Sequence, residues 1–191
     1  ALREGVLYEL LGRIQHQDTR ELTVNSFMRR YQVDKNQAKR VQKLSLDLLG
    51  QVKNKLAMDL PLAKQYLTWA SKLHEIGVTI AHSGFHKHSA YIIENGDMPG
   101  FSKMEQEILG FLIRTQRRSL SKLTMPAISD DRCALTMILR LAILFYRSRQ
   151  DVKPPALKFS WSKTGFDLEI ERDWLVINPL TKAELQSEVG F

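Results

Sequence analysis

Apolar residues recur every three or four positions through roughly the first 150 residues of the chain, a spacing that places them along one face of successive helices. The pattern ends at Pro154 and Pro155, which interrupt any helix. Beyond these prolines apolar and polar residues alternate, as in strands with one buried face. The sequence therefore predicts a mainly α protein, in which a large helical domain precedes a small terminal domain with a β-hairpin and a short helix.

Capping residues indicate where the helices begin and end. Asp34 is followed three residues later by Gln37, a capping-box pattern in which two side chains satisfy free amides of the first turn. Ser102 and Glu105 repeat the pattern. Gly77 suits a helix end because glycine accepts a positive φ. The predicted helices cover about Leu2–Arg13, Thr19–Tyr31, Asp34–Val52, Pro61–Gly77, His86–Asn95, a stretch from Ser102 past Ile113, and Asp131–Arg149.

The alternating segment predicts a hairpin with its loop at Ser162–Gly165. A lone hairpin is marginally stable in water, so it must pack on another element. The stretch Trp174–Val176 predicts a further strand, and Pro179 predicts the start of a last short helix. The apolar positions expected on the two hairpin strands are Leu157, Phe159 and Trp161, and then Phe166, Leu168 and Ile170.

The net charge favours an acidic partner. Lys and Arg total 28 against 21 Asp and Glu, a formal charge of +7, and such a surplus attracts polyanions over long range. No run of about 18 apolar residues predicts a membrane-spanning helix. Cys133 is the single cysteine, so no intrachain disulfide is expected, which suits a reducing, cytoplasmic setting. We expect that thiol to be buried rather than reactive.

Four of the five histidines lie within 15 residues, from His74 to His88. Histidine can ligate a metal, move protons or, when charged, bind phosphate. His82 and His86 are four residues apart, a metal-ligand spacing on a helix, but Ser83 and Gly84 between them argue against a continuous helix. Phosphate contacts and plain capping or core roles both stay open for this cluster.

The segment Leu73-His74-Glu75-Ile76-Gly77 resembles the motif of the HD phosphohydrolases, which hold a divalent metal with a His-Asp pair and further ligands. Here Glu75 stands in place of the aspartate. The upstream helix offers Lys39 and Arg40 and no histidine, and cations there would repel a metal. An active metal site is therefore not expected. A metal-dependent phosphohydrolase activity of the chain itself is kept as an alternative.

Two basic clusters could bind anions. Residues 114, 117 and 118 would share one face of a helix, so that their arginines converge, and convergent arginines can hold phosphate through paired hydrogen bonds. A solvated surface is the alternative. A nucleic-acid-binding module is less favoured, because no aromatic residues are interleaved for base stacking. The clusters are Arg29, Arg30, Lys35, Lys39, Arg40 and Lys43, and then Arg114, Arg117, Arg118 and Lys122.

Catalytic motifs are missing from the sequence. It has no phosphate loop of the form GxxxxGK[ST], no GxGxxG, no GxSxG and no CxxC pair. Carboxylates occur singly, with no spacing that marks an acid–base pair. The residues alone thus predict a basic, mainly helical module without an identifiable catalytic centre.

Four ordered segments resemble the exopolyphosphatase / guanosine pentaphosphate phosphohydrolase family. The resemblance runs from Ala1 to about Leu180. Arg114-Thr115-Gln116-Arg117 is closer to the guanosine pentaphosphate branch and HSGFHKHSAY to the exopolyphosphatase branch, so the subgroup stays open. The segments read ALREGVLYELLGR, LHEIGVTIAHSGFHKHSAYIIENGDMPGF, ILRLAILFYRSRQD and RDWLVINPL.

The resemblance implies a larger protein, with two actin-like catalytic domains before this chain. Residues 1–13 would be a linker helix, residues 14–150 an HD-like helical domain and residues 151–191 a small α+β domain. Hydrolysis of a terminal phosphate, with its magnesium ion, would take place in the preceding domains. We therefore expect no catalytic residue, metal ligand or cofactor in this chain.

The resemblance also implies a homodimer whose helical domains line a basic passage for polyphosphate or guanosine pentaphosphate. It implies no membrane partner and makes nucleic acid an unlikely one. Three histidines and a lysine would contact the phosphates directly, and four arginines would add to the positive electrostatic potential around them. The candidate phosphate contacts are His74, His86, Lys87 and His88, with Arg30, Arg114, Arg117 and Arg118.

Overall fold

Helices make up most of the chain in a computed structural model, which describes residues 19–117, 127, 130–151, 154–162 and 165–188. Residues 19–30 are helical and are termed α1. The predicted linker helix, Leu2–Arg13, lies outside the described residues, as do Arg118 and Lys122. The later helices are α2 (Lys35–Val52), α3 (Leu60–Leu73), α4 (Phe85–Asn95), α5 (Lys103–Thr115) and α6 (Asp131–Phe145), with 3-10 turns at Lys53–Lys55 and Ile76–Thr79.

The predicted helix starts at Asp34 and Ser102 are confirmed. Asp34 Oδ1 accepts hydrogen bonds from the amides of Asn36 and Gln37, each at 3.0 Å. Ser102 and Glu105 form both halves of a capping box. Gln37 does not return a bond to the amide of Asp34; its buried side chain donates to the Tyr146 carbonyl at 2.9 Å. The N-terminal end of α2 is thereby tied to the C-terminal end of α6.

Gly77 does not end a helix as predicted. Helix α3 ends at Leu73, and Gly77 is buried inside the following 3-10 turn. A Cβ atom at this position would lie 2.3 Å from the Phe85 carbonyl oxygen and 2.5 Å from the Ser89 amide nitrogen. The absence of a side chain, rather than a positive φ, is what the position requires, because the turn passes directly against α4.

The hydrophobic core has α2 and α6 at its centre. Helix α2 packs against α3, α6 and the first strand. Nearly every residue in the first three turns of α6 is buried, including Cys133. Burial raises the pKa of the Cys133 thiol, so this cysteine is a core residue, as expected.

A two-stranded antiparallel sheet follows the helices. Its strands are β1 (Leu157–Ser162) and β2 (Gly165–Ile170), with Phe159 opposite Leu168. The predicted hairpin is confirmed, and it packs on α2, as its marginal stability requires. Gln51 of α2 accepts from the Phe159 amide at 2.7 Å and donates to the Leu157 carbonyl at 3.1 Å.

The prediction of a further strand at Trp174–Val176 is wrong. These residues lie in helix α7 (Arg172–Ile177). Asp173 in the first turn favours a helix N-terminus, and the Trp174 ring packs 5.6 Å from the Phe145 ring at the end of α6. The predicted last helix is confirmed as α8 (Pro179–Glu188). The division of the chain at residues 150 and 151 stays a prediction.

Within the described part of the chain, no helix has both the length and the apolar character that a membrane crossing requires.

Candidate functional site

A cleft of about 440 Å³ lies where the turn after α3, the ends of α5 and α6, and helix α8 meet. Its lining is rich in charged side chains, which distinguishes it from an ordinary packing defect. Four guanidinium groups converge there, an arrangement suited to anions. The charged lining residues are Arg117, Arg140, Arg147 and Arg149, with Glu75, Glu184 and Glu188.

His74 lies behind the wall of this cleft, with 1% of its surface exposed. Its Nδ1 lies 2.8 Å from the Ser71 carbonyl oxygen, and because a carbonyl can only accept, Nδ1 carries the proton. Its Nε2 has no hydrogen-bond partner among the described residues and lies 3.9 Å from Glu75 Oε1. Burial lowers the pKa of His74, although Glu75 acts in the opposite direction. The imidazole is therefore neutral at pH 7.

Glu75 is held by a guanidinium group. Arg149 Nη2 donates to Glu75 Oε1 at 2.6 Å, and Arg149 Nη1 lies 3.2 Å from Asp34 Oδ2. Arg149 has a φ of 56°, a left-handed conformation that a surrounding network must hold. That network includes Arg40, which donates to the Arg149 carbonyl at 2.9 Å. Arg149 also helps to lower the pKa of Asp34, after the larger effect of the Gln37 amide.

This donor set does not fit a divalent cation. A metal at the His74–Glu75 pair would have to displace the Arg149 guanidinium from Glu75, and α2 presents Gln37 and Arg40 on that side rather than further anionic ligands. Over the residues that the structure describes, no group of three or more His, Cys, Asp or Glu side chains could hold a metal. Arginine supplies positive charge where a metal would otherwise supply it.

Helix α8 covers two further arginines of the cleft. Arg140, only 4% exposed, donates to both carboxylate oxygens of Glu188 at 2.9 and 2.5 Å and to the Thr115 carbonyl at 2.6 Å. Arg147 pairs with Glu184, which lies one helical turn before Glu188 on α8. Both charges are thus paired with carboxylates of α8, that of Arg140 inside the protein and that of Arg147 at its surface.

Arg117 differs from the other cleft arginines. It is exposed, and its guanidinium carbon lies 5.1 Å from the centre of the Phe85 ring. Among the described residues it pairs with no carboxylate. The ring supports the guanidinium plane by a cation–π contact, and the N–H groups at its edge stay available for an anion in the cleft.

The arginines at 114 and 117 do not share a helix face as predicted. Helix α5 ends at Thr115, and the side chain of the next residue, the buried Gln116, donates to the His74 carbonyl at 2.8 Å. Arg114, inside α5, pairs with Glu94 of α4 and does not line the cleft.

The remaining candidates are spread over the molecule. His86, Lys87 and His88 occupy the first turn of α4, where His86 is buried and Lys87 is exposed. None of the three lines the cleft, although the neighbouring Phe85 and His82 do. Arg30 is exposed near the end of α1, beside the Tyr31 ring. Of the seven candidates that the structure describes, only Arg117 lines the cleft, and His74 lies directly behind it.

The sequence prediction missed Arg140 and Arg149. For Arg140 a signal exists, because a single cation in the apolar run of α6 must find a partner if it is buried. For Arg149 the sequence carries no signal, since its partners Glu75 and Asp34 come from distant parts of the chain.

Comparisons with known proteins identify the region. The family described as "Ppx/GppA phosphatase, domain III" matches residues 19–189. The chain is similar to proteins named "Guanosine-5'-triphosphate,3'-diphosphate pyrophosphatase": it is 36% identical over 191 residues to that of Pseudoalteromonas translucida and 38% identical over 190 residues to that of Aliivibrio fischeri strain MJ11. Each match covers 98% of this chain and 38% of the relative.

The chain therefore spans well under half the length of these relatives, and a match in Vibrio vulnificus, 36% identical, covers 39% of its relative. The family resemblance expected from the sequence is confirmed, and the family model that matches is that of domain III. The chain belongs to the Ppx/GppA phosphatase family and corresponds to its domain III.

Proposed function

We propose that this chain is the non-catalytic, substrate-binding region of a cytoplasmic phosphohydrolase that converts guanosine pentaphosphate, shortens inorganic polyphosphate, or does both. The relatives carry the name of a pyrophosphatase for guanosine 5'-triphosphate 3'-diphosphate, and this chain matches only 38% of their length. Hydrolysis, and the magnesium ion it needs, belong to the rest of the parent protein. This chain contributes phosphate binding and contacts within a homodimer.

The Arg117–Phe85 pair at the cleft carries this proposal. The aromatic ring fixes the guanidinium plane, so less conformational freedom is lost when an anion binds. Two parallel N–H groups can then donate to two oxygens of one phosphate. Arg140, Arg147 and Arg149 lie behind it and keep the cleft positive on balance, since four arginines face three glutamates.

The carboxylates of the same cleft are not free to catalyse hydrolysis. The neutral His74 is buried and cannot reach a substrate without a change in structure, and Glu75 is engaged by Arg149. Glu184 and Glu188 are engaged by arginines of α6 and the segment after it. The described carboxylates of the cleft are therefore all committed to internal ion pairs, which leaves none as a free general base.

Exposed apolar side chains support a docking role for the end of the chain. Val176, Ile177 and Leu180 are 68%, 76% and 83% exposed on α7 and α8. Such a group of adjacent apolar residues is typical of a surface that contacts another protein or domain. In the proposed assembly it meets either the preceding domains or the second subunit.

The decisive experiment is Arg117→Gln in the intact parent protein. We expect the KM for guanosine pentaphosphate or polyphosphate to rise about tenfold, the effect of losing one charge-assisted contact, with kcat within about twofold. Steady-state phosphate release measures both constants. An unchanged KM for both substrates contradicts the proposal, and so does phosphate release by this chain alone.

A further inference from the structure

A second basic surface remains after the cleft has been described. It is a groove of about 420 Å³ formed by α1, α2 and α3, and no residue lines both the groove and the cleft. Four cationic side chains face it, together with the amides of Asn25 and Gln42. The cations are Arg29, Lys35, Lys39 and Lys72.

The charges of this groove are mostly unpaired. In the part of the chain that the structure describes, Arg29, Lys35 and Lys39 have no carboxylate partner, and no Asp or Glu lines the groove. Lys72 is the exception, since its Nζ lies 2.8 Å from Glu21 Oε2. Unpaired like charges repel one another and lower stability, so their convergence calls for a ligand that compensates it.

The shape and lining limit the kind of anion. Cations from three helices converge on one small space, which matches a compact group of high charge density, such as two linked phosphates. The apolar lining is confined to Met28 and Ala38, which leaves little to anchor a peptide side chain. Over the residues that the structure describes, no aromatic side chain lines the groove, and it therefore offers no stacking surface of the kind on which single-stranded nucleic acid relies.

We propose that this groove is a second oligophosphate-binding site, which takes two or more linked phosphates from an inorganic polyphosphate or from a nucleoside polyphosphate. Arg29 and Lys72 hold one phosphate from the α1 and α3 sides, and Lys35 and Lys39, one turn apart on α2, hold the next. Asn25 and Gln42 supply neutral hydrogen bonds at the edge. The ligand class follows from the proposed function, but the groove binds independently of the cleft.

The test uses calorimetric titration of this chain with tripolyphosphate and, separately, with guanosine 5'-triphosphate, at one fixed ionic strength because salt screens every charged contact. The variant Lys35→Gln/Lys39→Gln removes two groove cations. Lys53→Gln/Lys64→Gln is the matched control, since both lysines are exposed and do not line the groove; Lys53 directly follows α2 and Lys64 lies on α3. Thermal unfolding verifies that each variant folds.

We expect the groove variant to lose one equivalent of bound oligophosphate, or to bind it at least about tenfold more weakly, and the control to match the wild type. Binding of tripolyphosphate alone identifies an inorganic chain, and binding of the nucleotide alone identifies a nucleoside polyphosphate. Unchanged binding by Lys35→Gln/Lys39→Gln overturns the proposal. So do an equal loss in the control, a lack of binding to both ligands, or tighter binding of a DNA duplex than of either.

The variant Arg117→Gln distinguishes binding at the groove from binding at the cleft. If Arg117→Gln loses one equivalent of ligand and the groove variant loses another, both the cleft and the groove bind oligophosphate. If wild-type protein binds one equivalent that Arg117→Gln keeps and the groove variant loses, the groove proposal holds and the proposed role of the cleft fails.

Discussion

The cleft and the groove carry the same sign of charge but differ in how that charge is compensated. In the cleft, Arg140, Arg147 and Arg149 are bound to carboxylates of α8, α2 and the turn after α3. In the groove, the lysines of α2 and Arg29 have no such partner over the described residues. A cation with a buried carboxylate partner mainly holds the fold together, whereas an unpaired cation at the surface has capacity left for a ligand.

The comparison of the cleft with the groove predicts that the largest change in the free energy of unfolding follows a substitution of Arg140. Replacing Arg140 by Met leaves the half-buried Glu188 carboxylate and the Thr115 carbonyl without their donor, so we expect the free energy of unfolding to fall by about 3 kcal/mol. Lys39→Met in the groove should change it by less than about 0.5 kcal/mol. Urea denaturation measures both. The double change Arg140→Met/Glu188→Leu should recover much of the loss, because no charge is then left unpaired.

A loss below about 1 kcal/mol for Arg140→Met would break the comparison, since the paired arginines would then be as dispensable for the fold as the groove lysines.

A pH effect of intermediate size should distinguish the cleft from the groove. Burial lowers the pKa of His74 in the folded protein, with Glu75 and Arg149 as the charged groups that face it. The unfolded chain takes up this proton near pH 6.5 and the folded chain only at a lower pH, so the contribution of His74 to stability is complete above pH 6.5 and is lost as the pH falls below it. Between pH 7.5 and 5.5 this one proton accounts for a loss of at most about 1.4 kcal/mol.

The measurement is the unfolding free energy of the wild type and of His74→Asn across that pH range, where the Asn amide can still donate to the Ser71 carbonyl. The variant should lose this part of the pH dependence. Lys39→Gln should retain it, because no described histidine lines the groove. If the unfolding free energies of the wild type and of His74→Asn depended on pH in the same way, protonation of another group would cause the loss, and this prediction would be wrong.

The sequence predicted those parts of the molecule that depend on neighbouring residues. The caps at Asp34 and Ser102, the hairpin and the start of α8 are local, and all are confirmed. The strand that was wrongly predicted at Trp174–Val176 shows where such prediction fails. This segment is a helix whose Trp174 ring packs on Phe145 of α6, a contact that neighbouring residues do not reveal.

The two basic surfaces show the same limit. Three of the four groove cations belong to a cluster visible in the sequence, since they lie within eleven positions of one another, and only Lys72 joins from α3. The cleft instead brings together side chains from α2, α4, α6 and α8 and from the segments that follow α3, α5 and α6. Its defining pairs, such as Arg149 with Asp34, form only when the whole fold has assembled, so no local pattern could predict them.

The smallest change in stability and in phosphate binding is expected for a substitution of Arg114. It allows a paired arginine to be compared with Arg117, an arginine only three residues away that has no carboxylate partner among the described residues. Arg114 is about half exposed and pairs with Glu94, whose side chain packs over Gly110, where an added Cβ would lie 2.6 Å from Glu94 Oε1. Exposed ion pairs contribute little, so Arg114→Gln should lower the unfolding free energy by less than about 1 kcal/mol. Tripolyphosphate binding, measured by the same titration, should stay within about twofold of wild type.

Arg117→Gln, three residues further on, removes the same charge and should weaken that binding about tenfold, since its guanidinium lies in the cleft without a carboxylate partner among the described residues. Equal weakening by both variants would mean that net charge alone governs binding. If the two differ as expected, the presence or absence of an internal partner, rather than the number of cations, determines which part of this basic chain holds phosphate.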